Sequence, residues 1–211
     1  MKTELDAQAT SEMMQAVARH VIANTDALTE ADLAIGDGDH GIGMRRGFEA
    51  VLDRLSTGKP DSPEAVMKDT GMAIMSKTGG AAGAVFGTLF RTGAKALAGK
   101  QVMDGGALAD FLALGCEAAG KRGAAEPGQK TMLDALAPAA EAAKQATPGG
   151  LVAALEAAHA GALDGLEKTR NMIATTGKAR SLGERSIGHI DPGALSISLI
   201  IGAMRDFATE T

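Results

Sequence analysis

The sequence predicts an all-α protein, and three observations support that fold class. The 211 residues contain no Trp, no Tyr and only five Phe, so the aromatic residues that favour strands are scarce. Ala, Leu and Met, which are strong helix formers, supply most of the apolar positions. We find no segment with the apolar–polar alternation of a half-buried strand. We therefore expect one domain over residues 1–211, built from helices.

The spacing of apolar residues and the positions of Gly and Pro predict eight helices. The first runs from Thr3 to about Asn24, and the others cover roughly residues 44–56, 62–77, 84–97, 104–121, 131–145, 147–174 and 193–207. Ser62 followed by Pro63 is typical of an N-cap and a first helical position. Thr25–Gly43, with four Asp and four Gly, and Thr175–Pro192 are predicted to be loops.

Eight helices with mostly short links predict an antiparallel up-and-down bundle. In that topology the first, third, fifth and seventh links lie at the same end. Those links are the acidic loop within Thr25–Gly43, the Gly79–Gly83 loop, the Arg122–Lys130 link and the Thr175–Pro192 link, which we call the lid segment. The four chemically unusual loops should therefore converge on one end of the bundle.

Composition limits the classes of function. A formal charge of −5 argues against a nucleic-acid partner, because phosphate backbones are bound by surplus Lys and Arg. The longest apolar run, Ala194–Met204, is too short to span a membrane. No signal peptide is recognisable, and the single Cys116 cannot form an internal disulfide. We expect a cytoplasmic protein with a buried, unreactive thiol.

The acidic loop carries Asp32, Asp37 and Asp39. Carboxylates suit hard cations such as Mg²⁺, and Gly36, Gly38 and Gly41 allow a tight turn around an ion. No Lys or Arg lies nearby in sequence to balance the three carboxylates, which would repel each other without a cation. The alternative is a solvated Asp-Gly turn.

Two glycine-containing segments open helices and could bind phosphate through bare N–H groups and the positive end of the helix dipole. One is Gly79–Gly83, for which the alternative is a close helix crossing. The other is His40 to Gly43. The lid segment adds Lys178, Arg180 and Arg185, cations that could neutralise transferring charge, although an ordinary solvated basic loop remains the alternative.

Four segments form a specific series. They read Ile35-Gly-Asp-Gly-Asp-His-Gly41 with Arg46-Gly-Phe48, Gly79-Gly80 through Phe86-Gly-Thr88, Glu126-Pro-Gly-Gln-Lys-Thr-Met132, and Leu182-Gly-Glu-Arg-Ser-Ile-Gly-His-Ile-Asp-Pro-Gly193. In this order they strongly resemble the L subunits of dihydroxyacetone kinases, over essentially the full chain. The resemblance implies an eight-helix antiparallel barrel with ADP or ATP and two Mg²⁺ at one end.

By this resemblance, Asp32, Asp37 and Asp39 match the family's metal ligands. The implied nucleotide contacts are His40, Gly41, Ile42, Gly43, Gly80, Ala81, Ala82, Gly123, Met132, Lys178, Asp191, Pro192 and Gly193. No catalytic residue on this chain is implied with certainty, and Lys178, Arg180 and Arg185 of the lid segment are the candidates.

The family transfers phosphoryl to dihydroxyacetone held covalently on a separate K subunit, which this chain does not resemble. In one branch a phosphocarrier M subunit recharges retained ADP, and in the other ATP is exchanged. Gly43, Ala82 and Lys178 depart from the Asn, Ser and Arg common in the carrier-dependent branch. The phosphoryl donor therefore stays undecided between retained ADP recharged by the carrier and exchanged ATP. Three further alternatives remain: erythrulose as the substrate, a role as an ADP-holding sensor module, and assembly as a homodimer.

Overall fold

The computed structural model describes residues 1–210, and within them the fold is all-α. Nine α-helices follow one another: α1 Ala7–Ala23, α2 Thr25–Ile35, α3 His40–Ser56, α4 Pro63–Lys77, α5 Gly80–Gly93, α6 Gly105–Gly123, α7 Leu133–Ala146, α8 Gly150–Lys168 and α9 Pro192–Thr209. Short 3₁₀ segments cover Ala94–Leu97, Thr147–Gly149, Thr169–Asn171 and Lys178–Ser186. The predicted fold class is confirmed.

Eight of these helices form a closed ring. Each of α3 to α8 packs against the next helix in the chain, and α1 closes the ring by packing on both α3 and α9. The ring encloses one apolar core in which Phe48, Phe86, Phe90 and Phe111 are fully buried. The ring agrees with the barrel that the sequence resemblance implies.

The ninth helix, α2, lies outside this ring and contacts α3, α9 and the 3₁₀ segment Lys178–Ser186. The prediction of a loop over the whole of Thr25–Gly43 was therefore wrong. Leu28, Asp32 and Ile35 have helical spacing and form the buried face of α2. The Asp and Gly residues of this segment made it resemble a loop in sequence. The loop itself covers only Gly36 to Asp39.

Side-chain caps fix where several helices begin. Asp6, Ser62, Asp104 and Asp191 each accept a hydrogen bond from the backbone N–H three residues later, at 2.8 to 3.1 Å. Such caps satisfy N–H groups that have no partner within the helix. The predicted start of a helix after Ser62 is confirmed, whereas α8 ends at Lys168 rather than near residue 174.

Helices α7 and α8 pack closely because α8 presents glycine residues to α7. A Cβ at Gly165 would lie 2.0 Å from the carbonyl oxygen of Asp134, and one at Gly161 would lie 2.7 Å from that of Pro138. No described helix is both long enough and apolar enough to cross a membrane.

Candidate functional site

The three aspartates of the acidic loop lie together. Asp32 is buried on the last turn of α2, while Asp37 and Asp39 are exposed in the loop that follows. One carboxylate oxygen from each residue lies within 4.8 Å of the others. Oxygen donors at such spacing fit a hard divalent cation such as Mg²⁺. A Cβ at Gly36 would lie 2.2 Å from Oδ1 of Asp32, so the loop approaches the buried carboxylate only with glycine there.

Lys178 of the lid segment reaches into this cluster. Its Nζ lies 2.5 Å from Oδ2 of Asp37 and 2.9 Å from Oδ2 of Asp39. The hydrogen bond to Lys178 lowers the pKa of Asp37, and the two carboxylates raise the pKa of Lys178. Sequence analysis found no Lys or Arg near these carboxylates along the chain, whereas Lys178 is distant in sequence but adjacent in space.

A cavity of about 360 Å³ opens beside the acidic loop, and four helices begin around it. These are α3, α5, α7 and α9, which follow the four links predicted to converge. Helix N-termini present unpaired N–H groups and the positive ends of helix dipoles, which favour anions. The predicted convergence of the four links is confirmed, and we call this space the main cavity.

One part of the main cavity is apolar. Val85, Phe86, Ala119, Ala125 and Leu133 line it, together with Met132. A wall of this kind fits a flat apolar group such as a nucleobase, whereas the acidic loop and helix N-termini fit phosphates and cations. The lining thus includes both kinds of surface that a metal–nucleotide complex requires.

His40 begins α3 at the edge of the acidic loop. Its backbone N–H donates to Oδ2 of Asp32 at 3.1 Å, and its Nε2 lies 2.8 Å from Oγ of Ser196. Its ring centroid is 6.2 Å from that of Phe86. Burial lowers the pKa of His40, opposed by the charges of Asp32 and Asp39. The ring nitrogen is therefore held by α9 rather than presented to a substrate.

The link before α7 is organised by Asp134, which the sequence did not single out. Its Oδ1 accepts from the N–H of Gly128 at 2.5 Å, and its Oδ2 accepts from that of Thr131 at 2.7 Å. Asp134 is buried in the first turn of α7. An Asp at this position gave no local signal, because its partners lie in the preceding loop.

Lys130 lies at the end of the same link and was also missed as a site residue. It is buried and lines the main cavity, and its Nζ donates to the carbonyl oxygens of Thr169 and His189, both at 2.5 Å. Burial lowers the pKa of Lys130, opposed by Asp191 and Asp134. Arg46 of α3 is a further cation on the cavity wall that sequence analysis did not assign to the site.

Asp191 caps α9 from a buried position beside the main cavity. Its Oδ2 accepts from the N–H of Ala194 at 2.8 Å, and its own N–H donates to Oγ1 of Thr169 at 3.0 Å. Burial raises the pKa of Asp191 to about 7, although the hydrogen bond from Ala194 opposes this. Asp191 thus carries a proton near neutral pH more readily than an exposed aspartate.

The main cavity brings together most of the predicted site residues. They are Asp32, Asp39, His40, Gly43, Gly80, Ala81, Ala82, Gly123, Met132, Lys178, Asp191, Pro192 and Gly193.

Five predicted residues are not on the cavity wall that the described residues form: Asp37, Gly41, Ile42, Arg180 and Arg185. Asp37 still joins the acidic cluster. Gly41 is packed against α2, where a Cβ would lie 2.4 Å from the carbonyl oxygen of Thr25. Ile42 is 53% exposed, and both arginines are exposed on the lid segment.

Comparisons with known proteins show the family to which the chain belongs. Residues 34–206 match the family described as the DAK2 domain. The chain is 40% identical to the ADP-binding subunit DhaL of the PEP-dependent dihydroxyacetone kinase of Escherichia coli, covering 87% of this chain and 88% of that protein. It is also 40% identical to the DhaL subunit of the PEP-dependent dihydroxyacetone kinase 1 of Listeria innocua, covering 86% of each chain.

Longer proteins are also similar. The chain is 33% identical to the L-erythrulose kinase of Pectobacterium atrosepticum, over 87% of this chain but 32% of that protein. The solved dihydroxyacetone kinase of C. freundii in complex with AMP-PNP and Mg²⁺ shares the fold, with a TM-score of 0.76 and 20% identity. That match covers 98% of this chain and 35% of the solved one.

Proposed function

Because this chain belongs to the DAK2 domain family, and within it to the L subunits of dihydroxyacetone kinases, we propose that it is the nucleotide-binding phosphotransferase subunit of a phosphoenolpyruvate-dependent dihydroxyacetone kinase. The observation that carries this proposal is one cavity with four helix N-termini and apolar lining residues, beside a cluster of three carboxylates of which Asp32 and Asp39 line the cavity. Such a cavity suits a nucleoside diphosphate with divalent cations. The cytoplasm, where nucleotides and phosphoenolpyruvate are available, is its proposed location.

Different residues of the main cavity bind different parts of the nucleotide. Backbone N–H groups at the starts of α3, α5, α7 and α9 bind phosphate oxygens, and the apolar wall near Phe86 and Leu133 receives the base. Asp32, Asp37 and Asp39 would hold two Mg²⁺ ions. Bound Mg²⁺ would neutralise charge on the phosphate oxygens and orient them for transfer. Lys178 and the lid segment exclude water.

A separate K-type subunit supplies the sugar and the proton acceptor. Among the described residues, His40 is the one histidine on the wall of the main cavity, and its Nε2 is occupied by Ser196. This leaves no free imidazole positioned as a general base. A K-type partner that presents the ketose at the mouth of the main cavity would supply this base.

The proposed phosphoryl donor is ATP that a phosphocarrier M subunit forms in place from retained ADP; transfer of its γ-phosphoryl group to the ketose leaves ADP in the cavity again. The two relatives that are 40% identical are named as ADP-binding subunits of PEP-dependent kinases, and 88% and 86% of their lengths are covered. The erythrulose kinase match is 33% identical and covers a third of that protein. Dihydroxyacetone is accordingly the proposed acceptor.

Reconstitution tests the proposal. The purified chain is combined with K-type and M-type subunits, and turnover of dihydroxyacetone and erythrulose is compared with phosphoenolpyruvate or ATP as donor. We expect dihydroxyacetone turnover with phosphoenolpyruvate and the carrier, and ADP released on denaturing the purified chain. Light scattering of the same sample tests the homodimer.

The Asp37→Ala variant tests the metal assignment within the same assay. Because Asp37 completes the carboxylate cluster, its loss should reduce turnover at least about a hundredfold. Asp164→Ala is the matched control, since Asp164 is exposed and pairs with Lys168 on α8. Full activity of Asp37→Ala would refute the assignment. Retained ADP without turnover by any K-type subunit would favour the sensor role.

A further inference from the structure

Lys130 has a backbone conformation that lysine rarely adopts. Its φ is +59°, and Ala124 is the other non-glycine residue with positive φ among residues 1–210. Gly or Asn would fit this left-handed conformation with less strain. The side chain is also 2% exposed, so a charge is buried. Strain combined with a buried charge indicates that the side chain itself has a role.

The ammonium group of Lys130 joins two distant parts of the chain. Its Nζ donates at 2.5 Å to the carbonyl oxygen of Thr169, before the lid segment, and at 2.5 Å to that of His189, near the end of the segment. We call Thr169–Ala174 and Ser186–Asp191 the lid stems. Lys130 therefore contacts both stems from a third element, the link that precedes α7.

Other hydrogen bonds join the two stems to each other. The N–H of Gly188 donates to the carbonyl oxygen of Arg170 at 2.7 Å, and that of Ala174 donates to Oγ of Ser186 at 2.9 Å. The N–H of Asp191 donates to Oγ1 of Thr169. The stems thus form the base of a compact loop with adjacent ends.

The far part of this loop carries Lys178, which meets Asp37 and Asp39. The position of Lys178 depends on the base from which the loop projects. Lys130 attaches that base to the link that Asp134 holds against the main cavity. The base of the loop and the link before α7 are therefore joined through the buried ammonium group of Lys130 and a backbone bond from Thr175 to Gln129 at 3.4 Å.

We propose that Lys130 is the positioning residue of the lid segment: its ammonium group clamps both lid stems to the wall of the main cavity and so sets the place of Lys178 over the bound ligand. The identity of that ligand as ADP rests on the proposed function. The clamp itself concerns the ligand-free chain and can be measured without any nucleotide.

Hydrogen–deuterium exchange of the ligand-free chain tests the clamp. Lys130→Met should accelerate exchange of the Ala174 and Gly188 amides at least about tenfold, while amides of α4 keep the wild-type rate. Lys130→Asn is the second variant, because Asn tolerates positive φ but cannot reach the two carbonyls. Lys121→Met is the control, since Lys121 is exposed and pairs with Glu117. Unchanged exchange in the stems of both Lys130 variants would overturn the proposal.

A double-mutant cycle separates positioning from a merely structural role. ADP affinity with Mg²⁺ is measured by calorimetry for Lys130→Met, Lys178→Met and the double variant. If each single change weakens binding about tenfold, the double variant should also lose about tenfold, because Lys178 acts only when Lys130 positions it. A hundredfold loss, the additive result, would overturn the proposal. A wild-type chain that does not bind ADP would refute the proposed function, and the exchange experiment would still decide the clamp.

Discussion

The ammonium group of Lys178 lies where the sequence predicts a divalent cation. It contacts Asp37 and Asp39 at hydrogen-bond distance, and all three side chains are more than half exposed. Exposed ion pairs contribute little to stability because water and salt screen them. A divalent ion that binds three carboxylates should therefore displace Lys178 from the cluster, leaving it free for the phosphates.

Competition between Lys178 and metal gives a first prediction. In the nucleotide-free chain, Lys178→Met should increase Mn²⁺ affinity about threefold to tenfold, because two screened ion pairs no longer need to be broken. Calorimetric titration measures the affinity. Lys168→Met is the matched control, since Lys168 pairs with Asp164 away from the site. A Lys178 variant with weaker Mn²⁺ binding would contradict the competition.

Asp191 gives a second prediction, which concerns pH. Its pKa is about 7 in the folded chain against 3.8 for an unperturbed carboxyl group, so the folded state binds the proton more tightly. The resulting stabilisation is complete below pH 3.8 and is lost as pH rises through 7. Between pH 5 and 7, wild type should therefore lose about 2 kcal/mol of unfolding free energy relative to Asp191→Asn.

Urea unfolding of the nucleotide-free chain at pH 5, 6 and 7 measures this difference. Asn is a suitable replacement because its side-chain oxygen can still cap α9 through the N–H of Ala194. Parallel pH profiles for wild type and Asp191→Asn would show that burial does not raise the pKa of Asp191.

Individual residues also show where sequence analysis stops. Asp37 and Asp39 could be predicted together because Asp and Gly within one short segment carry a local signal, and the family resemblance added Asp32 as the third ligand. Lys130 and Asp134 could not, because their roles depend on carbonyl and N–H groups of other segments. Lys178 was predicted on the lid segment, but its contact with Asp37 spans much of the chain.

At the level of the helices, apolar periodicity and capping residues predicted the eight helices that form the ring, and the family resemblance implied that they close into a barrel. Helices α1 and α3 to α9 match the eight predicted helices to within a few residues, except where 3₁₀ segments replace their ends. Helix α2 was missed because a short helix with Asp26 and Glu30 on its exposed face resembles a polar loop in sequence. Its burial depends on α3 and α9, which local propensity does not reveal.

The close approach of α7 and α8 gives a third prediction. In Gly165→Ala the new methyl group would lie 2.0 Å from the carbonyl oxygen of Asp134, so the helices must separate. We expect a loss of about 2–3 kcal/mol in unfolding free energy. ADP binding should weaken as well, because Asp134 holds the link beside the main cavity.

Thermal and urea unfolding measure the effect of Gly165→Ala. Gly106→Ala is the control, because the atom nearest to its new Cβ is 3.5 Å away, an ordinary contact. The control should change the unfolding free energy by less than about 1 kcal/mol, since alanine is the better helix former. Equal behaviour of the two variants would show that α7 and α8 are not in close contact.

The whole molecule concentrates its chemistry at one end. Because the eight ring helices alternate in direction, every second one begins at the main cavity, and four partial positive charges meet there. The acidic loop adds negative charge at the same end. Cations can balance the carboxylates, and phosphates can balance the positive ends of the helices. Binding of one should therefore favour binding of the other.

This mutual dependence gives a fourth prediction, on ligand removal. With ADP and Mg²⁺ each near a hundred times the dissociation constant, the folded state gains about 2.7 kcal/mol. For a chain of this size, the melting temperature should rise by about 5–10 °C. Adding EDTA should remove most of the rise. A melting temperature that stays high in EDTA would show that nucleotide binds without metal.

The opposite end of the ring offers a practical advantage. The links at residues 57–62, 98–104 and 147–149 lie there, and none of their residues lines the main cavity. Gly58 has open space around it. A biotin acceptor peptide or a fluorophore placed between Gly58 and Asp61 would attach the protein to a surface with its ligand-binding end facing the solution. Immobilised in this orientation, the protein could be used for single-molecule measurements of lid motion and partner capture without a tether near the cavity mouth.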